Sequence, residues 1–306
     1  MKRIGWAYLT IIILLTGTVV IALSCGSSQV DWRHLSMTDY NTIFNIRLPR
    51  LVADLVAGAA LSISGAFYQA TFRNPIADSG ILGISAGAEL IAILISLVLP
   101  GVFWIKVSGA FIGGLLVLIV LISLQSRLTP TQLILVGVAM NAAITGIQQI
   151  FSANQVNGLA TVTWTGTMFL AIIGVVASIG ALVTAHWANY LKASDDFLAS
   201  VGVSPRLLRT VLMLIATILA TTSTAVIGVI AFLGIIVPQS CRVLVGRNYQ
   251  TLIPFAGLAG AWLLLVTDTF GRLIVRPSEI SAQIILAIIG GPFLIVMLVK
   301  GKRGIR

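Results

Sequence analysis

Charge is what this sequence has least of. Asp, Glu, Lys and Arg make up 9% of its 306 residues, against about 25% in a soluble domain. So few charges cannot keep a surface of this size in water, which excludes a soluble enzyme, a nucleic-acid module and a disordered chain. Cysteine and histidine number two each: Cys25 and Cys241, His34 and His186. All lie far apart, so no metal-ligand spacing exists. A disulfide is not expected either, because Cys25 falls near one membrane surface and Cys241 near the other. No glycine-rich phosphate loop ending in Lys-Ser or Lys-Thr occurs, and no nucleophile sits beside a base. The chain is not expected to be an enzyme or to hydrolyse ATP.

Apolar residues fill the gap, at 58% of the chain. A helix needs about 20 mainly apolar residues to cross a bilayer. Ten such segments can be laid out, near 4–24, 50–70, 80–98, 104–124, 132–152, 167–188, 210–230, 232–245, 252–270 and 282–299. The expected fold is therefore an all-α polytopic membrane protein of about ten transmembrane helices, a single domain over 1–306. The first run follows Lys2-Arg3 and is long for a signal peptide, so it reads as a membrane helix. The stretch 25–48 is polar, and 189–209 is polar and partly helical.

The net charge of +10 fits a membrane protein once the charges are placed. With the N-terminus inside and ten alternating spans, one side receives Lys2, Arg3, Arg73, Arg127, Lys192, Arg206, Arg209, Arg242, Arg247, Lys300, Lys302, Arg303 and Arg306. The other receives Arg33, Arg47, Arg50, Lys106, Arg272 and Arg276. That bias has the sign of the positive-inside rule, and it puts both termini in the cytoplasm. The 29 glycines cluster with Ala and Ser in the second and third spans, where small residues permit close helix contact in lipid.

Asp54, Glu89 and Asp268 fall inside apolar spans, where an unpaired charge is costly. Asp268 can pair with Arg272 and Asp54 with Arg50, each one helical turn apart. Glu89 has no sequence-local partner; it lines a pathway or bonds a neighbouring helix. Asn141 and Gln148 share one face of the fifth span, as pore lining or as polar contacts between helices. Arg47 and Arg50 lie at the mouth of the second span, where snorkelling to headgroups is the simplest role.

Residues 47–88 carry a run of motifs: Arg47-Leu48-Pro49-Arg50, Gly58-Ala59-Ala60, Arg73-Asn74-Pro75, and Gly80 to Ala88 with Gly83 and Gly87. Further on come Trp164 and Gly166, Ala199 with Gly202-Val203, Gly228 to Arg242 with Pro238, Asp268 with Arg272, and Glu279-Ile280 before Gly290 and Pro292-Phe293. Together they strongly resemble the FecCD family of permeases, the membrane subunits of binding-protein-dependent ABC importers for ferric siderophores, haem and vitamin B12. Gln239 departs from the family's usual His, and Ser281-Ala282 from its Pro-x-Gly.

The resemblance implies a type II ABC importer permease fold in the bacterial cytoplasmic (inner) membrane. It implies ATP-driven alternating access with a ferric siderophore as cargo, while haem, cobalamin or an oxyanion remain alternatives. Implied partners are a second permease subunit, identical or paralogous, two ATP-binding subunits that hold ATP and Mg, a periplasmic or lipid-anchored substrate-binding protein, and membrane lipid. No cofactor and no nucleic acid is expected. By the same resemblance Arg47, Arg50 and Arg276 dock the binding protein. Residues 189–209 form the coupling element for the ATPase, with Ala199 and Gly202 allowing close approach and Asp196 and Arg206 giving polar contacts. Glu89, Asn141 and Gln148 are pathway candidates. Rivals of another class are an ion-coupled secondary transporter, which calls for a titratable relay or inverted repeats, and a purely structural membrane subunit.

Overall fold

The computed structural model describes residues 2–26, 36–151, 158–275 and 278–303. Its order is α1 (Lys2–Ser24), α2 (Met37–Asn41), α3 (Leu48–Thr71), α4 (Ile84–Val98), α5 (Phe103–Leu124), α6 (Pro130–Phe151), α7 (Trp164–Tyr190), α8 (Asp195–Ser200), α9 (Pro205–Ile227), α10 (Leu233–Val245), α11 (Tyr249–Ile274) and α12 (Ala282–Arg303). The protein is an all-α, multi-pass membrane protein. Seven of its helical segments are long and apolar enough to cross a bilayer, and α4, α10 and α12 are shorter apolar helices in the positions of the third, eighth and tenth expected spans. Large apolar side chains on the outer faces of α5 and α7, such as Ile119, Ile172 and Val183, are exposed, as lipid-facing positions should be.

The expected polar stretch 25–48 proves partly helical. Ser36 and Asp39 cap each other's backbone at the start of α2, and six residues of wider π-type turns, Thr42–Arg47, run on into α3. Cys25 and Cys241 are both free.

α3 is the spine. It packs on α7, α9, α10 and α11, and nearly its whole length is buried. Apolar burial gives little drive between helices in lipid, so close van der Waals approach has to supply it. At the crossing with α11, a Cβ on Gly58 would collide with the Gly260 carbonyl oxygen. At the crossing with α10, Gly65 meets the backbone of Gly234 equally closely.

Two breaks interrupt the bundle. Residues 72–83 separate α3 from α4, and residues 228–232 separate α9 from α10. The second ends on Phe232, a non-glycine residue in the left-handed region at φ 68°, a conformation that costs of order 1–3 kcal/mol and persists only where packing enforces it. Gly290 of α12 packs against it: a Cβ there would collide with the Phe232 ring. Pro238 lies inside α10 without ending it. A proline removes the N–H that would bond the carbonyl four residues back, here Gly234. Gln69 of α3 fills the vacancy: its Nε2 donates to the Gly234 oxygen at 2.9 Å.

Replacing Gln69 with Leu removes that donor and leaves a buried carbonyl unpaired, at a cost of about 1–3 kcal/mol. Gly58→Leu forces the α3–α11 crossing apart and is expected to cost at least as much. Thermal unfolding of detergent-purified protein should show both variants melting below the parent, with Gly58→Leu losing monodispersity.

Candidate translocation cavity and coupling surface

The two breaks meet. Asp78, Gly80 and Ile81 from the first, and Val229, Ala231 and Phe232 from the second, line a cavity of about 320 Å³. Irregular backbone at membrane depth is tolerated where it is buried or lines a cavity, and broken helices are where transporters place their pathways. All three pathway candidates face this space: Glu89 from α4, Asn141 and Gln148 from α6. Gln148 Nε2 donates to the Ala86 carbonyl at 2.8 Å and reaches Glu89 Oε2 at 3.4 Å. Glu89 also feels the charge of Lys106 on α5, a partner that sequence distance hides.

At one end of the bundle lies a buried ion-pair cluster. Arg50 holds Asp268 through two nitrogens, Nε to Oδ2 at 3.0 Å and Nη2 to Oδ1 at 2.7 Å. Its Nη1 donates to Glu279 Oε2 at 2.7 Å. Arg272 Nε approaches Asp268 Oδ2 at 3.0 Å, so the pairing of Asp268 with Arg272 is present. Arg50 does not serve Asp54; it crosses to α11 and to the segment before α12. Eight residues separate Arg50 from Gly58 and eight separate Gly260 from Asp268, so one antiparallel register produces both the glycine contact and the ion pair.

Arg47 and Arg50 stand at the start of α3, as expected, but neither is open to headgroups. Arg47 is 4% exposed and Arg50 is 7% exposed, and Arg47 Nη1 donates to the Leu23 carbonyl at 2.6 Å. Burial follows from the polar groups that converge there: a guanidinium is retained inside only when most of its donors are met. Arg276 lies outside the described residues.

The opposite end carries residues 189–209. Ser194 caps α8, its Oγ accepting from the Phe197 N–H. The helix ends in a left-handed Gly202 at φ 77°, with Gly202 N–H to Ala199 O at 3.1 Å and Val203 N–H to Leu198 O at 2.9 Å, the pair of bonds that closes a helix C-terminus. Ser204 then caps α9. Leu198 anchors this turn inward, while Asp196, Ala199, Gly202 and Arg206 are exposed beside exposed Phe197, Val201 and Leu207. The loop is tied down by a residue not singled out from sequence for that role, Asp195. Its Oδ1 accepts from Arg73 Nη2 and from Arg209 Nη2, both at 2.7 Å. Arg73 also donates to the backbone carbonyls of Leu191 and Ala193. Partial burial disfavours the Asp195 charge, but the hydrogen bond and charge of Arg209, with those of Arg73, outweigh it and hold the carboxyl below the ordinary range.

The family model for the FecCD transport family matches residues 7–300. This chain belongs to the FecCD transport family. The FecCD chain is a transporter permease, not an enzyme, and the ion-coupled and purely structural readings give way to an ABC-importer subunit. Among curated proteins it is similar to "Probable heme-iron transport system permease protein IsdF" of Staphylococcus aureus (strain Newman), 36% identical over 97% of this chain and 96% of that one. The same protein from strain USA300 matches at the same identity and coverage. Among solved structures it resembles an ABC transporter provisionally assigned to the metal-chelate type, in an inward-facing conformation, at TM-score 0.84 and 26% identity over 95% of this chain and 98% of that one. A second likeness, to PsaBC from Streptococcus pneumoniae in complex with Fab, is one of fold alone, at TM-score 0.56 and 14% identity over 85% of this chain and 93% of that one. Among the described residues of this FecCD permease, no group of His, Cys, Asp and Glu is arranged to hold a metal.

Arg50→Met leaves Glu279 without this donor and Asp268 with Arg272 alone; the expected loss is about 3 kcal/mol, read as a lower melting temperature. The Asp195 tie has a defined pH window. Because its folded pKa is depressed, its contribution is full above the ordinary Asp value of about 3.9 and disappears as pH falls through the lowered value. Hydrogen exchange across 191–203 should stay slow at pH 6, quicken only in strong acid, and be fast at both pH values in Asp195→Asn.

Proposed function

We propose that this FecCD permease imports a haem-type iron chelate. The observation that carries this is the 36% identity to IsdF along 97% of the chain, a protein whose name states heme-iron transport. It favours haem over the ferric siderophore expected from sequence.

In this reading two permease subunits enclose the pathway. Two ATPase subunits that hold ATP and Mg grip the 189–209 ends, and a binding protein delivers the chelate at the Arg50 end. Ten crossings, with α4, α10 and α12 spanning alongside the seven longer segments, put both termini and residues 189–209 in the cytoplasm of an inner membrane; the placement of basic residues supports this. The exposed apolar trio Phe197, Val201 and Leu207, rimmed by Asp196 and Arg206, has the make-up of a docking patch. Arg73 and Arg209 hold Asp195, so a push on α8 is delivered to the ends of α3 and α9. Both helices run beside the cavity that Glu89, Asn141 and Gln148 line, and their shift opens it to alternate sides. Docking of the binding protein through Arg47, Arg50 and Arg276 requires the first two to leave their present partners, so an ion-pair exchange accompanies docking.

The assembled transporter in proteoliposomes tests the reading. Hemin-loaded binding protein should stimulate ATP hydrolysis and hemin uptake, with ferric siderophores giving neither; stimulation by siderophore alone reverses the cargo assignment. Gly202→Val places a β-branched residue in a left-handed turn on the ATPase-facing surface, and is expected to cut coupled uptake at least about tenfold, equivalent to 1.4 kcal/mol, while ATP binding by the partner persists. Undiminished uptake removes the coupling role.

A further inference from the structure

A second cavity, of about 460 Å³, is lined by neighbouring residues of the same two segments. On α10, Ile235 lines the first and Gln239, one turn on, lines the second. On the 72–83 break, Asp78 lines the first and Pro75 the second. Between them stands a polar closure: Gln239 Nε2 donates to the Pro75 carbonyl at 3.0 Å and to Gln69 Oε1 at 3.2 Å. The same Gln69 oxygen accepts from Arg242.

The second cavity has one sign of charge. Arg73, Lys192, Arg242 and Arg247 line it, and among the described residues no Asp or Glu does. Arg73 is committed to Asp195 and to backbone carbonyls. Arg242 donates to the neutral Gln69 and Tyr249, and Lys192 meets Asn189 Oδ1 at 2.6 Å and the Arg247 carbonyl at 2.7 Å. The Lys192 amine is pushed below its ordinary pKa by burial and by the neighbouring charges of Arg242 and Arg247. A concave surface of one sign focuses potential and concentrates ions of the other sign.

We infer that the second cavity is an anion-binding exit vestibule that takes the carboxylates of the chelate as it leaves the central cavity, with Gln239 as the closure between the two. This rests on the proposed import of a haem-type chelate, whose porphyrin carries two carboxylates. Guanidinium and ammonium donors suit that group. A neutral amide at position 239 hydrogen-bonds the closing backbone without adding a charge that would hold the departing anion.

The test separates the site from the cargo. With Cys25→Ser and Cys241→Ala removing the native thiols, Asn74→Cys places one thiol on the vestibule wall of the assembled permease–ATPase complex. A sulfonate-bearing methanethiosulfonate should label it about tenfold faster than the trimethylammonium reagent. Arg247→Gln, whose side chain makes no hydrogen bond or ion pair within the described residues, should reduce that preference about threefold, and Lys192→Gln should do the same. Hemin should slow labelling, and hemin dimethyl ester, which lacks both carboxylates, should not. Equal rates for the two reagents, or a preference that Arg247→Gln leaves unmoved, overturn the anion site. Protection by hemin and ester alike, or by neither, overturns its assignment to the cargo's carboxylates. A preference present in the isolated permease and lost on assembly assigns the cations to the ATPase contact and also overturns the proposal. Labelling needs no transport, so a complex that fails to import hemin refutes the cargo reading while the reagent preference still decides the anion site.

Discussion

In lipid, a backbone N–H or C=O without a partner costs several kcal/mol, and this permease breaks its helices in the middle of the bundle. The structure depends on how those breaks are satisfied. Pro238 frees the Gly234 carbonyl, and Gln69 takes it up. That bond is possible because Gly65, one turn before Gln69, lets α3 and α10 come into backbone contact. Glycine, glutamine and proline are thus one device: the first gives proximity, the second a donor, the third a local interruption that does not destroy the helix.

From that device the functional geometry follows. With α10 held against α3, its start at Phe232 faces the 72–83 break, and the space between becomes the central cavity. Gln69 also touches Gln239 and Arg242, so the residue that repairs the backbone is part of the floor between the two cavities. A rearrangement of α10 therefore cannot leave the floor unchanged. Arg73, just past the end of α3, ties that end to the Asp195 loop. α3 thus runs from the buried ion pairs at one end, past the floor between the cavities, to the 189–209 loop at the other.

The glycine-rich spans, the polar and partly helical stretch 189–209, and the break between the seventh and eighth spans were legible because each is local: propensity and turn chemistry act within a few residues. The common face of Asn141 and Gln148 was legible because helical period fixes it. Other features were not. Arg50 sits one turn from Asp54, yet its partners are Asp268 and Glu279, more than two hundred residues away. Asp195 and Asp196 are equivalent by sequence, but only the first turns toward Arg73 and Arg209. Glu89 looked solitary because Gln148 and Lys106 come from other helices.

The sequence by itself determined that the chain lives in lipid and where most of its long apolar helices run, because composition and apolar period are properties of the chain read residue by residue. Only the tertiary structure decided which charges are spent internally and which are left facing open space. Arg47 and Arg50 went inward, while Lys192 and Arg247 were gathered around a cavity lined by no acid among the described residues. The physical reason is that a charge's role depends on the partners within about 4 Å, and in an antiparallel bundle those partners come from distant parts of the chain, selected by helix register and crossing.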